Sequence, residues 1–141
     1  MGDDFLDGYR GQTTAELLAL RDRYRTDSLV LAFELALELK AEQASLSHAE
    51  QHVLAIEALE REVNNGGYGQ FFLNASRVHV PIVVEALFAI GCPKTARITR
   101  GAIAALKLPE PLAVERLEAR LLEDDLDLRR ALLACDERYL A

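Results

Sequence analysis

Residues 62–74 read EVNNGGYGQFFLN, and this stretch decides how the rest of the chain can fold. An amphipathic helical pattern precedes it, and shorter helical patterns follow it. Asparagine and glycine tolerate the left-handed backbone that ends a helix, so Asn65, Gly66 and Gly67 predict a helix end and a sharp turn. The aromatic side chains that begin at Tyr68 are then predicted to carry the returning segment into the core.

The polar side chains of the same stretch allow two interpretations. Gln70 and Asn74 are four residues apart, so on a helix both amides point the same way. Together with Asn64 they either satisfy the backbone of the turn or line a polar pocket for a small ligand or peptide. We favour the structural interpretation, because buried unpaired peptide groups are costly. The predicted structural turn comprises Asn64, Asn65, Gly66, Gly67, Tyr68, Gln70, Phe71, Phe72 and Asn74.

The pattern Asn-Asn-Gly-Gly-aromatic-x-Gln-Phe-Phe-x-Asn-x-Ser resembles the signature of the bacterial DNA-mimic protein family, whose members are small all-helical domains. A looser likeness continues to residues 135–139, CDERY, which resemble the acidic and tyrosine-containing ending of that family. The resemblance implies that the chain presents carboxylates to the DNA-binding surface of a transcription regulator, often as a dimer. The 16 basic residues depart from this idea, because they would interrupt a continuous phosphate-like surface.

Length and composition predict one domain over residues 1–141, with residues 1–12 as a loose N-terminal segment. Half of the residues are hydrophobic, which is enough for a core, but no apolar run approaches the ~20 residues of a membrane helix. The acidic start is unlike a secretory signal, and two distant cysteines do not make a disulfide framework. We therefore expect a cytoplasmic protein without a membrane segment.

The net charge of −7 is distributed unevenly along the chain. Residues 1–60 carry −7, residues 61–107 carry +4 and residues 108–141 carry −4. Affinity for phosphates comes chiefly from lysine and arginine, so an acidic protein repels nucleic acid. The sequence therefore predicts no direct nucleic-acid binding, although the basic middle third leaves room for a local anion patch.

Capping residues and apolar periodicity predict a compact all-α bundle of about seven to eight helices, several of them short. Residues 33–40 alternate like a strand, but their leucine, alanine, glutamate and lysine favour a helix, which should be central and largely buried. The first predicted helix begins at the Thr13-Thr14 cap, the second runs from Leu29 to about Gln43, and the third runs from the Ser47 cap to about Asn64. Four more helices are predicted over residues 70–75, 82–90, 93 to about 107 and 112–122. The last predicted helix has Leu128, Leu132, Cys135 and Tyr139 on its inner face.

Two acidic groups are candidate partner-binding residues. Glu34, Glu38 and Glu42 repeat at ~6 Å on the predicted helix, a spacing that loosely resembles phosphates along a DNA strand. Like charges at this spacing destabilise a helix by a few tenths of a kcal/mol each, a cost that local structure does not offset. The alternative is an ordinary solvated face, and arginines interleave the second group. That second group is Glu123, Asp124, Asp125 and Asp127.

Residue patterns of catalysis are weak in this sequence. His48 and His52 have a spacing that can chelate a metal, but further ligands are hard to name, so solvated histidines are the simpler interpretation. Cys92 should lie at a helix N-terminus, where a thiol can become nucleophilic, or simply be a small residue before Pro93. Cys135 is predicted to be core, and the sequence contains no phosphate-binding loop, dinucleotide fingerprint or nucleophile elbow.

The sequence therefore predicts a non-enzymatic acidic interaction domain without metal or cofactor. The resemblance implies a DNA mimic whose partner is a DNA-binding transcription regulator, and it allows a homodimer. The alternative function is a small-ligand or peptide-binding domain that uses the Asn64–Asn74 turn.

Overall fold

The computed structural model describes residues 2–141, and over this range the chain is built from α-helices joined by turns and short 3-10 helices. The predicted all-α fold with several short helices is confirmed there. The α-helices are α1 Thr14–Leu18, α2 Thr26–Ala41, α3 His48–Leu73, α4 Val80–Ala89, α5 Pro93–Ala105, α6 Leu117–Leu122 and α7 Leu126–Leu140, and the 3-10 helices are Ala75–His79 and Val114–Arg116.

The contacts divide the chain into two compact units. We call residues up to Gln51 the N-terminal unit and residues His52–Ala141 the C-terminal unit. Each has its own cluster of buried apolar side chains.

In the N-terminal unit α1 packs on α2, with Leu17 and Leu29 among the buried contacts. The predicted cap of α1 is a full capping box, in which the Thr13 side chain and Glu16 exchange hydrogen bonds with each other's backbone. Leu17, Leu20 and Tyr24 follow the cap at helical spacing and predict a longer helix, but α1 ends at Leu18. One reason is a backbone hydrogen bond further along the chain. The Arg25 N–H donates to the Asp4 carbonyl at 2.6 Å, so the segment before Arg25 pairs in an extended conformation.

Residues 33–40 are helical, so the choice of helix over strand is confirmed. The prediction that α2 is largely buried is wrong. Leu31, Leu35 and Leu39 are 59%, 39% and 44% exposed, whereas Leu37 is fully buried. These three leucines lie at every fourth residue and form an exposed apolar strip. The composition of the helix alone could not show whether this strip is buried or exposed.

The core of the C-terminal unit forms where α5 packs against α4 and α7. Tyr68, Phe71 and Phe72 are fully buried in it, as predicted. Large aromatic side chains bury the most apolar area per residue, so these three anchor the second half of α3. Leu128 and Leu132 of α7 are also buried, which confirms the predicted inner face of that helix.

Helix ends marked by glycine and proline follow the sequence closely. Gly91 has a φ of 80° and ends α4, and Pro93 is the first residue of α5. The segment before α6 is different: the predicted helix over 112–122 is regular only from Leu117, because a 3-10 turn takes up Val114–Arg116.

No single helix within residues 2–141 combines the length and apolar character that crossing a membrane requires. Within the same range, α3 taken together with the helical segment Ala75–Ala89 reaches that length and composition, and the pair is bent by 74°. Much of its apolar surface belongs to the buried cluster of the C-terminal unit.

Candidate functional site

The predicted turn is a kink inside α3. Gly67 alone in this helix leaves helical geometry, with φ 82° and ψ −177°. This region of backbone space is accessible almost exclusively to glycine. Asn65 and Gly66 remain helical, so the chain changes direction at one residue and resumes a helix at Tyr68.

Restarting a helix leaves backbone N–H groups without a partner from the preceding turn. The Tyr68 N–H is satisfied by Asp136 of α7, whose Oδ1 accepts it at 2.7 Å. Burial raises the pKa of Asp136, and the Tyr68 N–H partly offsets this by lowering it. A residue from the end of the chain thus caps the second half of α3, and the absence of a side chain at Gly67 leaves the space for its carboxylate.

The side chain of Tyr68 also holds the second half of α3 in place, through contacts with two other helices. Its hydroxyl lies 2.7 Å from Oγ1 of Thr99, which is fully buried on α5, and burial raises the pKa of Tyr68. The ring of Tyr139 meets Tyr68 edge-on, with centroids 5.9 Å apart and planes at 88°. Three helices therefore meet at this tyrosine.

The amides of the motif bind carboxylates that precede the kink. Gln70 Nε2 donates to Glu62 Oε2 at 2.5 Å, and Asn74 Nδ2 donates to the same oxygen at 3.2 Å. Asn64 Nδ2 donates to the Glu60 carbonyl at 2.6 Å and to its Oε1 at 3.2 Å. Gln70 and Asn74 thereby tie the two halves of α3 together, an arrangement that favours a structural turn over a ligand pocket.

Glu60 has a second partner, because the Tyr139 hydroxyl donates to its Oε2. Burial is the main cause that raises the pKa of Tyr139, and the contact with Glu60 adds to it. We call Glu60, Glu62 and Asp136 the kink carboxylates. Their donors are a phenol, amides and a backbone N–H, all neutral, so each carboxylate is positioned without its charge being cancelled by that bond.

The acidic groups singled out from the sequence lie in different surroundings. Glu34 is only 6% exposed, whereas Glu38 and Glu42 are exposed. The three residues therefore do not form one continuous surface stripe, although Glu38 and Glu42 remain accessible to a partner.

In the second acidic group, most members are paired with arginine. Arg120 is 9% exposed and binds Glu123 and Asp125, each at 2.9 Å, while its Nε donates to the Leu106 carbonyl. Arg129 pairs with Asp124. Asp127 lies exposed in the first turn of α7. These ion pairs lower the net negative charge that the cluster presents.

Asp125 also caps α7, because its Oδ1 accepts the Leu128 N–H at 3.0 Å. That hydrogen bond, followed by Arg120, lowers the pKa of Asp125. A lowered folded-state pKa means that the stabilisation is present above the unfolded pKa, about 3.9 for aspartate, and is lost as the pH falls through the folded value.

We therefore expect Asp125→Asn to lower the free energy of unfolding at pH 7, with an effect that shrinks as the pH falls towards about 2 and protonation removes the same charge. Asparagine keeps the capping oxygen, so the difference isolates the charge. Urea unfolding followed by circular dichroism at the two pH values measures it. An equal loss at both pH values would show that the charge of Asp125 is not the cause.

The histidine and cysteine candidates are placed as follows. His48 is the exposed first residue of α3. His52 Nε2 lies 3.5 Å from Glu85 Oε2 on α4, a neighbour that sequence spacing could not identify. Cys92 is half-buried at the N-cap of α5, as predicted. Cys135 is 7% exposed, which confirms it as core, and burial raises the pKa of its thiol.

Sequence reasoning did not single out the kink carboxylates. Glu62 opens the motif stretch and Asp136 lies in the acidic ending, so both were within segments that carry the resemblance. Sequence patterns relate residues that are close along the chain. Asp136 and Tyr139 instead contact residues that precede them by 68 and 79 positions, so no local pattern could reveal these contacts.

A family model described as DMP19-like protein matches residues 44–141, more than two thirds of the chain. No curated protein and no solved structure matches. The matched range contains the kink, all three kink carboxylates and α7, whereas Glu34, Glu38 and Glu42 precede it.

Proposed function

The chain belongs to the DMP19-like protein family, and we propose that it is a non-enzymatic interaction domain of the DNA-mimic type. It presents fixed carboxylates to the DNA-binding surface of a basic protein such as a transcription regulator. The observation that carries the proposal is the set of kink carboxylates, held in place by neutral donors within the family-matched part of the chain.

Fixed negative charge is what a DNA-binding surface recognises first. Such surfaces bind phosphates through lysine and arginine, and much of the affinity comes from neutralising them. A carboxylate that already occupies its binding geometry loses little side-chain entropy on association. Glu62 is restrained by Gln70 and Asn74, and Glu60 by Asn64 and Tyr139, so both are ordered before a partner arrives.

Arginine-paired carboxylates serve this role less well. Glu123 and Asp125 must give up part of their interaction with Arg120 before they can bind a partner's cation. The motif residues thus contribute indirectly: they build the kink, and the kink orients the charges. Glu38 and Glu42 can extend the acidic surface without being its centre.

The test uses the full chain immobilised as bait for proteins from a native lysate, followed by binding measurements with the purified capture. We expect a DNA-binding protein that duplex DNA displaces, with affinity falling by orders of magnitude between about 50 and 200 mM salt. Glu60→Gln combined with Glu62→Gln should weaken binding about tenfold or more, because each loses a charge while keeping an acceptor oxygen.

Glu110→Gln combined with Glu115→Gln is the matched control, since it removes two charges from exposed positions outside the kink. It should change the affinity much less than the first pair. A partner that duplex DNA fails to displace would overturn the mimic proposal. Equal losses from both pairs would show that net charge, and not the kink carboxylates, drives binding.

A further inference from the structure

A cleft of about 560 Å³ lies in the C-terminal unit, lined by α4, α5 and the segment that follows α5. Its volume falls within the range of roughly 300–1,000 Å³ that ligand pockets in proteins occupy. The lining includes none of the kink carboxylates and no residue of the Asn64–Asn74 turn. The proposed function therefore leaves this cleft unexplained.

Apolar side chains form most of the cleft wall. Val80 and Val84 lie one turn apart on α4, so they present the same face of that helix. Ile103 of α5 and, beyond that helix, Leu108 and Leu112 complete this lining. All of these side chains except that of Val80, which is buried, are half-buried against the core of the unit. The wall is thus held in place before any ligand arrives.

The segment 108–112 reads LPEPL and lies outside the helices. Its two prolines restrict the backbone, because the proline ring fixes φ. The backbone N–H groups of Leu108, Glu110 and Leu112 donate to no acceptor within residues 2–141. A restrained segment with such donors can pair with the backbone of an extended ligand.

Two charged residues line the cleft, Arg100 of α5 and Glu110 of the proline segment, and both are exposed. Within residues 2–141 they form no ion pair, either with each other or with another side chain. The guanidinium carbon of Arg100 lies 5.0 Å from the centroid of the Phe88 ring, a cation–π contact that restrains the arginine. A ligand that pairs with both charges must itself carry an anionic and a cationic group.

These features together select one class of ligand. A fatty acid offers a carboxylate to Arg100 and a chain to the apolar wall, but it leaves Glu110 without a partner beside an apolar ligand, which is unfavourable. A free amino acid carries both charges, but it has no peptide groups for the donors of segment 108–112. A short apolar peptide with free ends satisfies the wall, the charges and the backbone donors.

We propose that this cleft binds a short apolar peptide, whose C-terminal carboxylate pairs with Arg100 and whose N-terminal ammonium pairs with Glu110. The side chains of the peptide contact the apolar wall. The site is independent of the proposed DNA mimicry, because it uses no kink carboxylate, and either proposal can fail without the other.

Isothermal titration calorimetry of the full chain with trileucine is the test, together with two blocked forms of the same peptide. Acetylation removes the ammonium charge, and amidation removes the carboxylate charge. We expect trileucine to bind the wild type, and each blocked form to bind at least about tenfold more weakly, because each loses one ion pair.

Two variants assign each end of the peptide to its partner. Glu110→Gln should bind acetylated trileucine as tightly as trileucine, yet still discriminate against the amidated form. Arg100→Gln should show the reverse pattern. Arg97→Gln is the matched control, since Arg97 is exposed on the same helix but does not line the cleft, and it should discriminate as the wild type does. Circular dichroism checks that each variant is folded.

Four results would overturn the proposal. They are the absence of trileucine binding up to about 1 mM, blocked peptides that bind the wild type as tightly as trileucine, and an Arg100→Gln variant that behaves like Arg97→Gln. The fourth is decanoate binding more tightly than trileucine, which would assign the cleft to apolar carboxylates instead.

Discussion

Replacing Gly67 by alanine is expected to lower the free energy of unfolding by about 3–5 kcal/mol, from backbone strain and overpacking together. The φ of 82° is unfavourable for any residue with a Cβ. The new methyl group would also collide with the carboxylate of Asp136, whose Cγ lies 2.7 Å from the position of that Cβ. Chemical unfolding followed by circular dichroism gives the value.

Gly101→Ala provides the matched control. Gly101 lies inside α5 with a helical backbone, and nothing lies within 4 Å of the position of an added Cβ. Alanine should therefore stabilise the protein by about 0.5–1 kcal/mol at this position. The same substitution is thus predicted to have opposite signs at two glycines.

Combining Gly67→Ala with Asp136→Ala separates the two causes at the kink. Removing the carboxylate relieves the collision but leaves the backbone strain, so the double variant should lose less stability than the sum of the single variants. A single Gly67→Ala variant that loses less than about 1 kcal/mol would mean that α3 can straighten or bend elsewhere without penalty.

Local rules account for the parts of the fold that the sequence predicted well. The capping boxes Thr13–Glu16 and Ser47–Glu50 need only residues three apart. Gly91 and Pro93 end and begin helices through their own backbone geometry. The kink was located for the same reason, since only glycine accepts the conformation that the turn requires.

Features that depend on distant contacts were not predictable in the same way. The end of α1 and the late start of α6 are set by competing backbone arrangements, which apolar spacing does not encode. The burial of Glu34 is likewise invisible in a pattern that places Glu38 and Glu42 on the same helix face. Periodicity describes a helix face, whereas its surroundings decide whether that face meets water.

The candidate site shows the same division. The sequence indicated the asparagines and glutamine of the motif and, separately, the clusters of acidic residues as candidate site residues. It could not show that Gln70 and Asn74 position Glu62, or that Arg120 holds Glu123 and Asp125. Whether a carboxylate is available to a partner depends on the charge of its donors, which only the three-dimensional arrangement reveals.

The buried hydrogen bond between Tyr68 and Thr99 gives the second large expected effect. Tyr68→Phe leaves the Thr99 hydroxyl without its partner, and Thr99→Val leaves the tyrosine hydroxyl without one, in a place closed to water. Each variant should lose about 1–3 kcal/mol, the usual cost of a buried polar group left unsatisfied. Urea unfolding of each purified variant measures the loss.

Making both substitutions together removes both hydroxyl groups, so neither is left unsatisfied. The double variant Tyr68→Phe, Thr99→Val should therefore be more stable than the sum of the single losses requires, with a coupling of about 1 kcal/mol or more. Tyr9→Phe with Thr99→Val is the comparison, because the Tyr9 hydroxyl donates to the Gln12 carbonyl in the other unit and should add without coupling. Strictly additive losses for Tyr68 and Thr99 would mean that the hydroxyls do not depend on each other, and that packing of the ring alone holds the restarted helix against α5.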